Sequence, residues 1–208
     1  MSKILIVKYD ESPRKIETVE IKKFPVIIIT DTHTNVKNIK EIKKIWPNNP
    51  IYCLGDITFL WNKESDFNKR SIQYFIDNKI PCLLGNHDEY ITNNFLWDWN
   101  IDIHQIEYLK NLPIGFKFLL PDGTHYLAFH NRPKDLWIFT EPGYKQRAFI
   151  EDYPINKQTR GVLIGHQHKH FVIDYPEILC KLYGIGRLSK DKDYAIIDKN
   201  GAIYQKTI

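Results

Sequence analysis

Apolar runs that stop at metal-binding residue types constrain this chain more than any other feature. Val26-Ile27-Ile28-Ile29 leads to Asp31-Thr32-His33, and Ile51-Tyr52-Cys53-Leu54 leads to Gly55-Asp56. Cys82-Leu83-Leu84 precedes Gly85-Asn86-His87-Asp88, Leu127-Ala128-Phe129 precedes a lone His130, and Val162-Leu163-Ile164 precedes Gly165-His166-Gln167-His168. Continuous apolar runs of this length, ended by glycine or polar residues, predict strands buried on both faces. In open α/β sheets ligands collect beyond the carboxyl ends of such strands. Five strand ends delivering Asp, Asn or His to one rim therefore predict a metal site, with donors enough for two ions. That points to phosphoester chemistry.

The 208 residues suffice for one domain with a full core and are short for two. A hydrophobic content of 43% excludes a disordered chain. The formal charge of +4 comes from scattered lysines, read as solvated surface with a mild pull on phosphate. Cys53, Cys82 and Cys180 are odd in number and lack a framework spacing, which argues for a reducing compartment. Ile4 to Val7 is far too short for a signal peptide and nothing approaches a membrane span, so the expected location is cytoplasmic.

Residues 3–24 read as a hairpin turning around Ser12-Pro13. A strand at 26–30 follows. Val36, Ile39, Ile42, Ile45 and Trp46 then recur at helical spacing until Pro47. After the strand at 51–54 comes a loop with Trp61. A helix follows from about Asp66 to Asn78, turning Phe67, Ile72, Phe75 and Ile76 inward. The strand at 80–84 leads into the third motif and a short helix with Tyr90, Ile91 and Leu96. Pro121-Asp122-Gly123 marks a turn between antiparallel strands at 116–119 and 125–129. A helix is expected near 142–152, then strands at 162–165, 170–174, 178–183 and 193–197, with Asn200-Gly201 as a late hairpin turn. The expected class is α/β: two packed mixed sheets flanked by helices, a four-layer α/β/β/α sandwich. We read a single domain over 1–208, with its motif-bearing core at 26–168 and C-terminal strands at 170–208.

Taken singly, the motifs differ in weight. Asp-x-His and Gly-Asp are common in turns, and a lone His130 is more often structural than ligating. Asp31 and His33, at a strand end, point to the same side and can reach one cation. Gly85-Asn86-His87-Asp88 is sharper, since a fixed tetrapeptide arises by chance about once per 10⁵ positions. Order, placement and count together override the bland readings. His104, His125 and His170 have no such setting and read as structural or surface residues.

This ordered set, over about residues 26 to 168, resembles the calcineurin-like metallophosphoesterase superfamily. Tyr52-Cys53-Leu54-Gly55-Asp56-Ile57 and Leu84-Gly85-Asn86-His87-Asp88 look closest to small prokaryotic-type phosphodiesterases and diadenosine-tetraphosphatase-like members. His130-Asn131-Arg132-Pro133-Lys134-Asp135-Leu136-Trp137 is similar to a His-Gly-Ser-Pro-Arg-Asp-Pro-Leu-Trp stretch of that group. Tyr183-Gly184-Ile185-Gly186-Arg187 falls where such proteins place a further Gly-rich loop. The resemblance implies a dinuclear centre: Asp31, His33 and His168 on one ion, Asn86, His130 and His166 on the other, and Asp56 bridging. Two divalent ions are implied, Mn²⁺ foremost, with Fe, Zn²⁺, Ni or Co as alternatives. His87 resembles the family histidine that binds the phosphoryl group and protonates the leaving oxygen. Asn86 and His87 are thus also substrate-binding candidates. Arg132 and Lys134, just after His130, are candidates for contact with phosphate.

Three positions depart from the family pattern. Phe59 stands where many relatives carry a polar residue that orients the catalytic His. Asn131 replaces a usual Gly but tolerates positive φ. Thr34 also replaces a Gly, and as a β-branched residue it predicts a locally different loop. The expected activity is a phosphohydrolase acting on phosphodiesters or nucleotides. The alternatives are a phosphomonoesterase or protein phosphatase, or an idle scaffold of this fold that binds a protein partner. Nucleic acid is a possible substrate, but no basic tract interleaved with aromatics supports it, and no membrane partner is indicated. The oligomeric state is not legible.

Overall fold

The computed structural model describes residues 5–9, 12–61, 66–94, 100–131 and 153–208. Among the described residues eleven strands form two sheets. The smaller holds β3 (Val26–Ile29), β4 (Ile51–Cys53), β10 (Asp193–Ile197) and β11 (Ile203–Thr207), in the order β11-β10-β3-β4. The larger holds β1 (Leu5–Tyr9), β2 (Ser12–Glu20), β5 (Gly115–Leu119), β6 (His125–Phe129), β7 (Thr159–Ile164), β8 (His170–Tyr175) and β9 (Cys180–Ile185). Its order is β1-β2-β5-β6-β7-β9-β8. The described α-helices are α1 (Val36–Ile45), α2 (Phe67–Asp77), α3 (Asn86–Asn93), α4 (Ile103–Lys110) and α5 (Leu188–Asp191).

The apolar runs are continuous because both faces of their strands are covered. Val26 and Ile28 of β3 face Phe116, Phe118, Ala128 and Leu163 of the other sheet. Ile27 and Ile29, one step out of phase, pack with Ile39, Ile42, Ile72 and Phe75 of the helices. In the larger sheet Ala128 and Leu163 turn inward, while Leu127, Phe129, Val162 and Ile164 form a third cluster on the outer face. Two packed mixed sheets with helices are thus observed. The helix expected at 142–152, like Leu96, lies outside the described residues.

Two parallel pairings aim the site. β3 lies parallel to β4, and β6 parallel to β7, so the carboxyl ends within each pair emerge together. The other strand expectations need adjustment. Ser12 and Pro13 belong to β2, paired with Tyr9 and Lys8, so they do not form the turn. Residues 80–84 contribute one isolated bridge, Cys53 to Cys82, and the third motif opens α3 instead of ending a full strand. The strand placed at 178–183 runs over Cys180–Ile185, after a 3₁₀ turn at Pro176–Ile178. Phe67 stands at the start of α2, 45% exposed, whereas Ile72 and Phe75 are fully buried and Ile76 packs half-buried against the core. The helices α4 and α5 were not expected; their apolar stretches are too short for periodicity to show.

Candidate active site

Beyond the four carboxyl ends and the first turn of α3, nitrogen and carboxylate atoms gather in three overlapping clusters. Asp31 meets His33 and His168, His33 meets Asp56 and His87, and Asp56 meets His130 and His166, with the donor atoms of each cluster within 4.8 Å of one another. Asn86 joins the last cluster: its Oδ1 lies 2.9 Å from His130 Nε2 and 2.8 Å from His166 Nδ1. All seven sequence-predicted ligands therefore come together, with His87 beside them. Arg132 and Lys134 lie outside the described residues.

The backbone bends sharply to do this. Asp31, His33, Asp56, His166 and His168 have φ between 40° and 61°, a left-handed region that non-glycine residues avoid. Such strain, about 1–3 kcal/mol per residue, persists where surrounding structure over-determines it and concentrates at functional sites. Asp31 and His33 thus meet through left-handed turns, not by strand alternation, with His33 Nε2 3.7 Å from Asp31 Oδ1. Thr34 keeps φ 69°, so its loop holds the left-handed form despite the β-branch. Asn131 is buried and is not among the positive-φ residues, so no glycine is needed there.

Motif glycines are required by close approach. A Cβ on Gly85 would lie 2.1 Å from Asp56 Oδ1, and one on Gly165 would lie 2.1 Å from Thr30 Oγ1. In each case one loop crosses directly over a carboxylate or its hydroxyl partner.

Asp31 and Asp56 each have one oxygen anchored and another turned to the cluster. Asp31 Oδ2 accepts from Thr30 Oγ1 at 2.7 Å and the His166 N–H at 2.9 Å, while Oδ1 lies 3.1 Å from His168 Nε2. Asp56 Oδ1 accepts the His87 N–H at 2.9 Å, and Oδ2 lies 3.4 Å from His130 Nε2. Burial opposes the charge on Asp31, yet its hydrogen bond with His168 and the field of His130 hold it low, at about 2. Asp56 is likewise held well below the usual range: the His130 charge and hydrogen bond outweigh its burial. His130 is lifted to about 9, because Asp56 beside it overcomes the cost of burial. His166 falls to about 4 through burial and the neighbouring His130 charge.

This donor set fits divalent cations. The Leu54 carbonyl sits 2.9 Å from His130 Nδ1, which fixes a proton there and leaves Nε2 facing two oxygens, Asn86 Oδ1 and Asp56 Oδ2. These oxygens require positive charge between them, supplied by a proton on Nε2, as the lifted His130 pKa reflects, or by a divalent cation in its place. Hard oxygens with imidazoles suit Mn²⁺, Fe or Zn²⁺.

Sequence reasoning gave Asp88 no role, although the motif contains it. Its Oδ2 accepts the N–H groups of Asp56 at 2.9 Å and Gly85 at 3.0 Å, and its Oδ1 accepts the N–H and hydroxyl of Thr58 at 3.0 and 2.8 Å. One carboxylate thereby ties the second motif to the third. Burial, with Asp56 close by, lifts Asp88 to about 6. The partner of His87 also emerges. The Leu60 N–H points at its Nδ1 from 3.4 Å, Phe59 stacks on the ring at 5.9 Å, and Trp61 lies tilted at 5.4 Å. A backbone amide and two aromatic rings stand where a polar side chain was missing; the amide has no sequence signal.

Fold and site together define a metal-dependent phosphoesterase. A model of the calcineurin-like phosphoesterase family matches residues 24–195, and the chain belongs to that family. Among solved structures, one described as a candidate diadenosine tetraphosphatase is 14% identical with a TM-score of 0.60, covering 93% of this chain and 97% of its own. A novel archaeal phosphodiesterase is 13% identical with a TM-score of 0.53, covering 89% and 100%. A protein serine/threonine phosphatase from Saccharomyces cerevisiae is 13% identical with a TM-score of 0.59, covering 93% and 84%. Likeness at such identities shows the fold alone. No curated protein matches the chain.

Proposed function

We propose that this chain hydrolyses phosphodiesters or nucleotides at a dinuclear centre. Asp31, His33 and His168 would hold one divalent ion, Asn86, His130 and His166 the other, with Asp56 shared. The observation that carries this reading is the position of Asp56. Its carboxylate lies within 4.8 Å of His33, from the first set, and of His130 and His166, from the second, with one oxygen pinned by the His87 amide and the other turned toward His130. Divalent ions there, Mn²⁺ foremost, would supply Lewis acidity toward water and the phosphoryl oxygens.

The protein's own part is positional. His87 binds the phosphoryl group through Nε2, which faces the cluster 3.9 Å from Asp56 Oδ2. The Leu60 amide at Nδ1 favours the tautomer that carries its proton on Nε2, so this nitrogen donates to a phosphoryl or leaving oxygen. Burial also lowers the His87 pKa, which favours the neutral ring. Arg132 and Lys134 are proposed to contact phosphate from the chain that follows His130.

The test is hydrolysis of bis-p-nitrophenyl phosphate beside p-nitrophenyl phosphate, with Mn²⁺ and with EDTA. The proposal expects metal-dependent turnover with the diester preferred. Turnover of the monoester alone would reverse the substrate preference, and no turnover of either would end the proposal.

A further inference from the structure

A groove of about 880 Å³ opens directly beside the metal clusters, with His33, Phe59 and Arg187 on its wall. Arg187 reaches His168 Nδ1 at 3.4 Å, so the groove and the candidate centre are continuous. Its lining is one-sided in charge. Lys37 and Lys40 enter from α1, Arg70 from α2 and Lys190 from α5, and no Asp or Glu lines it among the described residues. Among those residues these four cations have no carboxylate within ion-pair distance, whereas Arg187 is paired with Asp191 at 2.9 Å. The start of α1 at Asn35 and Val36 also faces the groove, adding the positive end of the helix dipole.

Aromatic rings share these walls. Phe67 and Tyr74 line the groove along α2, and Phe59 continues into Trp61, which is 75% exposed. The Arg70 guanidinium already lies 4.8 Å from the Phe67 ring centre. Exposed rings beside unpaired cations match a ligand that joins a π-face to several phosphates. The volume suits one nucleotide, not a polymer duplex.

We propose that this groove is a nucleotide subsite and that the substrate is a nucleoside polyphosphate, with one phosphate at the metal clusters. Its remaining phosphates lie along Lys37, Lys40, Arg70 and Lys190, and its base lies against the Phe67 side. The proposal rests on the phosphohydrolase reading for the reaction, but the groove's affinity is measurable apart from it.

The full chain is titrated calorimetrically with ADP and with pyrophosphate, first in EDTA and then with Mn²⁺. The wild type should bind ADP more tightly than pyrophosphate. Lys37→Ala/Lys40→Ala should weaken both ligands at least tenfold, and Phe67→Ala should erase the preference for ADP. The ratio of kcat/KM on ATP to that on p-nitrophenyl phosphate should fall about tenfold in the double variant. ADP affinity equal in wild type and double variant, or no ADP binding in EDTA, overturns the subsite. Equal affinity for ADP and pyrophosphate overturns the base contact. Tighter binding of a single-stranded oligonucleotide than of ADP, with the same lysine dependence, overturns the small-molecule assignment. If ADP binds as expected but no phosphoester is turned over with Mn²⁺, the subsite stands and the phosphohydrolase reading falls.

Discussion

Thr34 holds φ 69° with a β-branched side chain, in a loop whose proposed ligands Asp31 and His33 are themselves left-handed. The proposed ligands have a chemical reason to be there, but among the described residues no side-chain hydrogen bond of Thr34 explains its conformation. Its backbone N–H meets the Ile57 carbonyl at 3.1 Å, a bond glycine keeps. Relief of roughly 1–2 kcal/mol of left-handed strain is set against the greater unfolded-state freedom of glycine, roughly 0.4–1 kcal/mol. Thr34→Gly should therefore raise Tm by about 2 °C in thermal denaturation; an unchanged or lower Tm would show that the loop is not strained there. His87 has a sharper test. If it donates a hydrogen bond from a neutral ring, as the Leu60 amide at Nδ1 favours, His87→Ala should slow alkyl and p-nitrophenyl esters by similar factors. A proton donor would instead matter mostly for the poorer, alkyl leaving group, typically by about 10²–10⁴. Metal content should survive the substitution, and its loss would show that His87 is a ligand.

At the scale of elements, the proposed ligands depend on how loops are tied together. Asp88 joins the turn after β4 to the first turn of α3 through five donors, and an amide in its place would point an NH₂ group at N–H groups. Asp88→Asn should cost about 3 kcal/mol of stability, read from urea unfolding, and weaken metal affinity about 10–100-fold. Unaltered metal affinity would reduce Asp88 to a purely structural clasp. The β6–β7 pair supplies a pH test away from the candidate metal site. His125 is buried and pairs through Nε2 with Thr159 Oγ1 at 2.9 Å. Burial, with repulsion from Lys117, lowers it to about 4. An unfolded histidine takes its proton near pH 6.5, so the stability due to neutral His125 is present above 6.5 and lost as pH falls toward 4. In His125→Gln the urea midpoint should fall less between pH 7 and 4.5 than in the wild type; an identical slope would exclude His125 as a contributor.

For the whole molecule, what was legible in the sequence was whatever burial writes into it. β3, β6 and β7 are covered on both faces, so Val26 to Ile29 and their counterparts read as unbroken apolar runs, and the motifs after them marked the rim. Residues 80–84 carry the same apolar signature yet form one bridge, because the Leu83 and Leu84 N–H groups bond to Cys53 and Pro113 carbonyls without a regular ladder. Apolar runs report burial, not pairing. The Leu60 amide and the groove cations were illegible for another reason: they assemble from separate elements, and nothing local marks them. The same dispersal predicts how the molecule responds to metal. The proposed ligands come from the ends of β3, β4, β6 and β7 and from α3, so occupied sites would cross-link both sheets and offset the left-handed strain at five ligands. Saturation at about 100 Kd should stabilise by about 2.7 kcal/mol, a rise in Tm of roughly 5–10 °C for a chain of this size. Asp56→Asn should lose that metal-dependent rise together with most bound metal, because it removes the carboxylate that lies between His33 of one proposed ligand set and His130 and His166 of the other. Scanning calorimetry with Mn²⁺ and with EDTA decides: equal Tm in the two buffers for the wild type would mean that no ion links the sheets.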